Sequence, residues 1–288
     1  MSRELLVDGV RWSYRDDGKG DVVVLLHGLA SDGRTWDRLA PALAARYRTI
    51  SVELPGYSVL TSGTKAEEPQ RLARGVAAFL DRLGVASYSL VGHSFGGTLA
   101  MLLARDQPTR CSSLILIAPG GFGTELNPLV ALLGTRAGSA LLRAAYGRAT
   151  SRAVRGIASR YTTSGRRGSE VRVSEAMETY ERLASQAARS QLRDGVRHAR
   201  RSKRADGIDG ALSLSSDIPI LVLWGSEDLV LPPWQANQAQ ASLPGSQLEF
   251  VAGAGHTPHR SHPEQTTSLV TDFLASARVT RRVAALRA

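Results

Sequence analysis

Residues Gly92-His93-Ser94-Phe95-Gly96-Gly97 set a serine between glycines in the pattern G-x-S-x-G. An apolar run at 88–91 precedes the pattern and a helical stretch from 95 to about 105 follows it, so Ser94 falls at a strand-to-helix turn. Gly92 and Gly96 let strand and helix approach at that turn. The positive end of the helix then lies beside the hydroxyl, where developing negative charge is favoured. The chemistry this predicts is nucleophilic attack on an electrophilic carbon.

A serine hydroxyl is a weak nucleophile near neutral pH and needs a base. His256 follows the last expected strand, at 248–251, inside Gly253-Ala254-Gly255-His256-Thr257-Pro258. A base of this kind needs a carboxylate to fix its tautomer and to stabilise its cation. Asp228 follows the apolar run at 218–223, with Glu227 as the alternative acid. Each residue has a plainer reading: a chance motif in a glycine-rich chain, a loop histidine, a helix-capping aspartate. All three fall just after a predicted strand, and that agreement favours a catalytic triad of Ser94, Asp228 and His256.

A tetrahedral intermediate also needs hydrogen-bond donors. The sequence offers the backbone N–H of Phe95, next to the serine, and that of Leu29 in His27-Gly28-Leu29, after the apolar run at 22–26. Gly28 allows a turn there. His27 is expected to brace the loop, with a role as base the alternative. His259 and His262 follow His256 at intervals of three, but no zinc-ligand motif accompanies them and no metal is expected. Cys111, the single cysteine, reads as a packing residue and excludes an internal disulfide. Trp36, Tyr57, Phe122, Leu126 and Leu129 are the candidate substrate-pocket side chains, with core packing an equal reading for Trp36 at the start of its expected helix.

The elements that must position these groups alternate. Strands are expected at 5–7, 10–14, 22–26, around Ile50 and Val52, and at 88–91, 114–117, 218–223 and 248–251. Helices are expected at 35–46, 67–83, 95–105, 234–243 and 264–277, with a fraying tail from Arg278. Repeated strand–helix units imply an α/β fold, a mostly parallel sheet with helices on both faces. The alternation breaks between about 123 and 213, where helical patterns stand alone. The expected organisation is one core, residues 1–122 and 214–288, interrupted by a helical insertion at 123–213.

The pieces His27-Gly28, Leu54-Pro55-Gly56, Gly92-His93-Ser94-Phe95-Gly96-Gly97, Gly225-Ser226-Glu227-Asp228 with Pro232, and Gly255-His256 resemble the α/β-hydrolase superfamily, in its capped branch with a serine nucleophile. The resemblance covers 1–122 and 214–277. It implies an eight-stranded α/β-hydrolase fold, a helical cap formed by the insertion, and catalysis without a cofactor. Pro119-Gly120-Gly121-Phe122-Gly123 is similar to the same region of C–C bond hydrolases. One loop departs from the family pattern D-x-P-G-x-G, reading Glu53-Leu54-Pro55-Gly56-Tyr57-Ser58. Serine at 94 argues against the branches that carry aspartate there.

Composition sets the outer limits. The chain has 288 residues, 43% of them hydrophobic and 22% charged, which suits a globular protein. No apolar run approaches the roughly 20 residues of a membrane helix, and no apolar leader opens the chain, so the expected compartment is the cytoplasm. Residues 124–213 hold 17 Lys and Arg against 8 Asp and Glu, which carries most of the formal +10 charge. Such a region is a solvated face, or it attracts an anionic acyl substrate or acidic partner. No nucleic-acid-binding motif is present. Three functions stay open: hydrolysis of an ester, lactone or related acyl bond; cleavage of a C–C bond or a thioester; and a non-hydrolytic biosynthetic or ligand-binding role on the same fold.

Overall fold

The computed structural model of the chain describes residues 2–29, 31–58, 68–123, 214 and 217–287. A hairpin opens the chain. Its strands, β1 (Ser2–Val7) and β2 (Val10–Asp17), are joined by Asp8 and Gly9 at φ 49° and 77°. Two successive positive φ values match the twist of a two-residue hairpin, and Asp-Gly is among the few pairs that adopt them readily. Then come β3 (Val22–Leu26), β4 (Arg48–Val52), β5 (Tyr88–His93), β6 (Cys111–Ile117), β7 (Ile220–Gly225) and β8 (Gln247–Val251).

The eight strands form one sheet in the order β1-β2-β4-β3-β5-β6-β7-β8. Only the β1–β2 and β2–β4 pairs are antiparallel; the other pairs are parallel. From β3 the chain steps to β4 on one side and then crosses back to β5 on the other. The loops after β3 and β5 therefore open a crevice at the carboxyl ends of the strands, where α/β sheets place ligands.

β5, β6 and β7 are almost wholly buried apolar runs because helices cover both their faces. On one face α2 (Pro69–Arg82), α3 (Phe95–Asp106) and α4 (Trp234–Ser242) pack over a core that includes Leu26, Val76, Phe79, Leu99, Leu116 and Trp224. Phe79 stacks on Trp12 at 5.3 Å and meets Tyr14 edge-on, which fastens α2 to the hairpin. On the other face α1 (Leu39–Ala44) and α6 (Pro263–Arg287) cover Val23, Leu25, Val91, Ile115 and Leu223. α5 (Pro258–Ser261) is a single turn before α6.

Two elements differ from expectation. In place of one helix over 35–46, a 3-10 turn (Gly33–Trp36) and α1 are separated at Asp37 and Arg38. Pro41 explains the break. In a continuous helix its ring would strike the carbonyl of residue 37, whereas a new start at Leu39 puts it in the first turn, where a missing N–H costs nothing. The tail does not fray at Arg278: α6 continues to Arg287, in a sequence without glycine or proline after Pro263. Of the expected insertion at 123–213, all but Gly123 lies outside the described residues, and so do Leu126 and Leu129.

The strand ends are closely fitted. A methyl group on Gly225, the last residue of β7, would drive into the carbonyl oxygens of Gly255 and Ala254 in the loop after β8. Gly225→Ala is therefore expected to lower stability by about 1–3 kcal/mol, as overpacking does, read as a reduced urea midpoint at unchanged m-value.

Candidate active site

Ser94 sits between β5 and α3 at φ 53°, ψ −117°. Non-glycine residues adopt this backbone at a cost of roughly 1–3 kcal/mol, which the surroundings must offset. They do so through close packing and hydrogen bonds. A Cβ on Gly96 would collide with the carbonyl of Leu26 at the end of β3, and one on Gly92 would meet the backbone of Gly96 and Gly97. The Ser94 N–H stays in the ladder, donating to the carbonyl of Ile117 at 3.0 Å. The Ser94 carbonyl accepts from the amides of Gly97, Thr98 and Gly120. Thr98 Oγ1 donates to the Gly120 carbonyl at 3.0 Å, so the turn after β6 is tied to the elbow twice.

Asp228 lies three residues beyond β7, its side chain fully buried. Its Oδ1 accepts from the amides of Val230 (2.7 Å) and Leu231 (2.9 Å), and its Oδ2 bonds His256 Nδ1 at 2.7 Å. A carboxylate accepts, so His256 Nδ1 is the donor in this bond, and in the neutral ring that tautomer leaves the lone pair on Nε2. Glu227 is exposed and its N–H is held by the Ala254 carbonyl, which leaves Asp228 as the acid beside the histidine.

His93 joins the elbow to the His256 loop. Its Nε2 donates to the His256 carbonyl at 2.9 Å, and its ring stands 4.8 Å from that of His256 and 4.7 Å from that of His259. Burial holds His93 well below the ordinary histidine pKa, and His259 and His256 beside it add to that. Among the described residues no hydrogen bond joins the Ser94 hydroxyl itself to His256. Such bonds are often long before substrate binds.

The loop after β3 lies alongside. A Cβ on Gly28 would come within 3.0 Å of His93 Nδ1 and 3.2 Å of Ser94 Cβ. His27 is fully buried; its Nδ1 bonds the Gly28 carbonyl at 2.8 Å and its Nε2 accepts from the Leu54 N–H at 3.0 Å. Because Nε2 is an acceptor it carries no proton, so the 3.7 Å approach of Glu53 Oε2 is not an ion pair. This ring spans two loops and has no nitrogen left for proton transfer. Among the described residues no hydrogen bond is made by the amides of Leu29 or Phe95.

The aromatic candidates divide. Tyr57 is fully buried and stacks on Phe95, ring centroids 4.4 Å apart, and Phe122 is also buried. Trp36 faces away from any open wall: it belongs to the core with Leu39, Leu43 and Phe273, and its indole tilts against His259 at 4.7 Å. His259 is buried and bonds Thr35 Oγ1, while His262 is half-buried beside Ser261. No sequence signal marked the roles of His93 and Thr98, whereas Glu53 and Ser58 stood out as departures from the D-x-P-G-x-G pattern.

A model of the alpha/beta hydrolase family matches residues 23–269. The chain belongs to the alpha/beta hydrolase family. Within and around this family, an uncharacterised protein of Mycobacterium tuberculosis is 30% identical over 279 residues, covering 93% of this chain and 79% of that protein. A Burkholderia cepacia 2-hydroxy-6-oxo-6-phenylhexa-2,4-dienoate hydrolase is 26% identical, covering 92% of each. The crystal structure of the esterase RhEst1 from Rhodococcus superposes with a TM-score of 0.68 at 28% identity, covering 96% of this chain and 99% of the esterase. Among the described residues this alpha/beta hydrolase has no group of three His, Cys, Asp or Glu able to hold a metal ion, and no helix long and apolar enough to cross a membrane.

The buried, neutral His93 has a consequence for acid stability. An unfolded histidine titrates near 6.5, and folded His93 does so well below. As pH falls through about 6.5 the unfolded chain takes up the proton first, so the His93 contribution is complete above that pH and lost below it. His93→Gln keeps an N–H for the His256 carbonyl but does not titrate. It is expected to flatten the decline of unfolding free energy between about pH 6.5 and 5, followed by urea melts; an unchanged slope would contradict a neutral His93.

Proposed function

We propose that this alpha/beta hydrolase is a serine hydrolase that cleaves an ester, lactone or related acyl bond of a small organic substrate. The observation that carries the reading is the 2.7 Å bond between Asp228 and His256, in a loop that His93 ties to the positive-φ turn of Ser94. Ser94 Oγ attacks the carbonyl carbon and passes its proton to His256 Nε2. The oxyanion forms between the amides of Leu29 and Phe95. Collapse expels the leaving group, which takes the proton from His256, and leaves an acyl-serine. Water, deprotonated by His256, attacks the acyl carbon; the acid departs and Ser94 regains its proton. Asp228, charged and fixed by two backbone amides, stabilises the imidazolium in both halves. No cofactor enters this cycle.

A second reading is cleavage of a C–C bond flanked by carbonyls. It is supported by the 26% identical hydrolase that matches along nearly its whole length, and by the Gly120 turn bonded to the Ser94 carbonyl. Both readings need the same serine.

The test is turnover of p-nitrophenyl esters of increasing chain length, together with intact mass after a fluorophosphonate probe. The wild type is expected to take one label and to turn over at least the short esters. Ser94→Ala should lose both, with kcat down roughly 10⁶-fold if it acts as in known triads. Asp228→Asn should keep the label, slowly, with kcat down about 10³–10⁴-fold. A folded wild type that neither labels nor turns over would overturn the reading in favour of a binding or non-hydrolytic role.

A further inference from the structure

Glu53 lies one residue past β4, its side chain 12% exposed and its Oε2 3.7 Å from His27 Nε2. Its Oε1 accepts from the Gly33 N–H at 2.7 Å and its Oε2 from Ser58 Oγ at 2.5 Å. Ser58 is fully buried, and its backbone bridges Ser31 as a short parallel pair. The carboxylate thus ties Gly33, four positions beyond the proposed oxyanion amide of Leu29, to the loop of residues 53–58. The second loop closes as a tight turn, with the amides of Tyr57 and Ser58 both donating to the Leu54 carbonyl. That turn does two further things. Its Leu54 N–H holds His27, whose ring holds Gly28. Its Tyr57 ring stacks on Phe95, the residue with the other proposed amide.

We infer that Glu53 and Ser58 act as a pair of positioning residues that set the two oxyanion amides, of Leu29 and Phe95, relative to one another. One turn braces the Leu29 side through His27 and the Phe95 side through Tyr57, and the Glu53–Ser58 hydrogen bond fixes that turn against the loop after β3. The two departures from the family loop pattern, a longer acid at 53 and a hydroxyl at 58, are then one device. The longer side chain reaches both Gly33 and Ser58, and the serine supplies the donor that the second carboxylate oxygen needs. This inference rests on the proposed hydrolase reading for its catalytic consequence, but the coupling of the loops stands apart from it.

The experiment is a double-mutant cycle with Glu53→Asp, whose shorter chain cannot span both partners, and Ser58→Ala, which removes only a hydroxyl and is the variant best placed to fold. Each single change is expected to lower kcat on the best ester, and the rate of fluorophosphonate labelling, about tenfold with KM within about twofold. That is a fraction of the 10²–10³ lost when an oxyanion donor is removed outright. The double variant should be no worse than the poorer single, because both break the same link. Losses that multiply in the double variant, or wild-type kcat in both singles, would overturn the proposal. Amide hydrogen exchange at Gly33 and Ser58 supplies a readout that needs no turnover: protection should fall in each single variant with no further drop in the double, and unchanged protection would refute the pairing. If Ser94→Ala retained full turnover, the hydrolase reading would fall, and exchange alone would decide whether the pair couples the loops.

Discussion

The organisation of this protein depends on how closely β5 and α3 meet at Ser94. A serine at φ 53° is a costly conformation, and it persists because little else fits. Gly92, Gly96 and Gly97 lie against the backbone of neighbouring segments, and the Ser94 carbonyl is saturated by three amides. The elbow is thus the point where β3, β5, β6 and α3 converge. Substituents larger than hydrogen at Gly92 or Gly96 would separate the helix from the sheet before they altered any chemistry. The strain at the serine and the density of the surrounding core are one fact seen at two scales.

A second constraint is polar saturation. Asp228 has both oxygens occupied, two contacts from backbone amides and one from His256. His27 has both ring nitrogens committed. On the proposed reading these side chains are fixed before substrate arrives, so little reorganisation would accompany charge development. His93 adds an imidazole kept neutral by burial, which suits a donor to the backbone carbonyl of His256, the residue that accepts a proton on the proposed reading.

Much of this was legible in the sequence because it obeys local rules. The G-x-S-x-G glycines, the apolar runs of β5 to β7 and the Asp-Gly hairpin each announce a backbone geometry that few other residues permit. The loops after β7 and β8 were legible by position, since a carboxylate and a histidine each follow an expected strand. What was not legible depends on three-dimensional neighbours. The helical period over 35–46 concealed the break that Pro41 demands. Nothing local marks His93 as the donor to a carbonyl 163 residues away. The departures at Glu53 and Ser58 could be seen in the sequence, but their complementarity emerges only when the loop closes and brings the hydroxyl to the carboxylate.

The distribution of these groups along the chain has a consequence for synthesis. Ser94 and the amides of Leu29 and Phe95 belong to the first third of the chain, whereas Asp228 and His256 follow β7 and β8. A ribosome-bound chain that has emerged only as far as β6 holds the serine without its acid or its base. On the proposed reading such a chain is catalytically silent however well its early strands have paired. Reactivity would switch on late, when β7 and β8 add to the sheet edge, so a nascent protein would meet the cell's esters and thioesters as an inert object until its fold is closed.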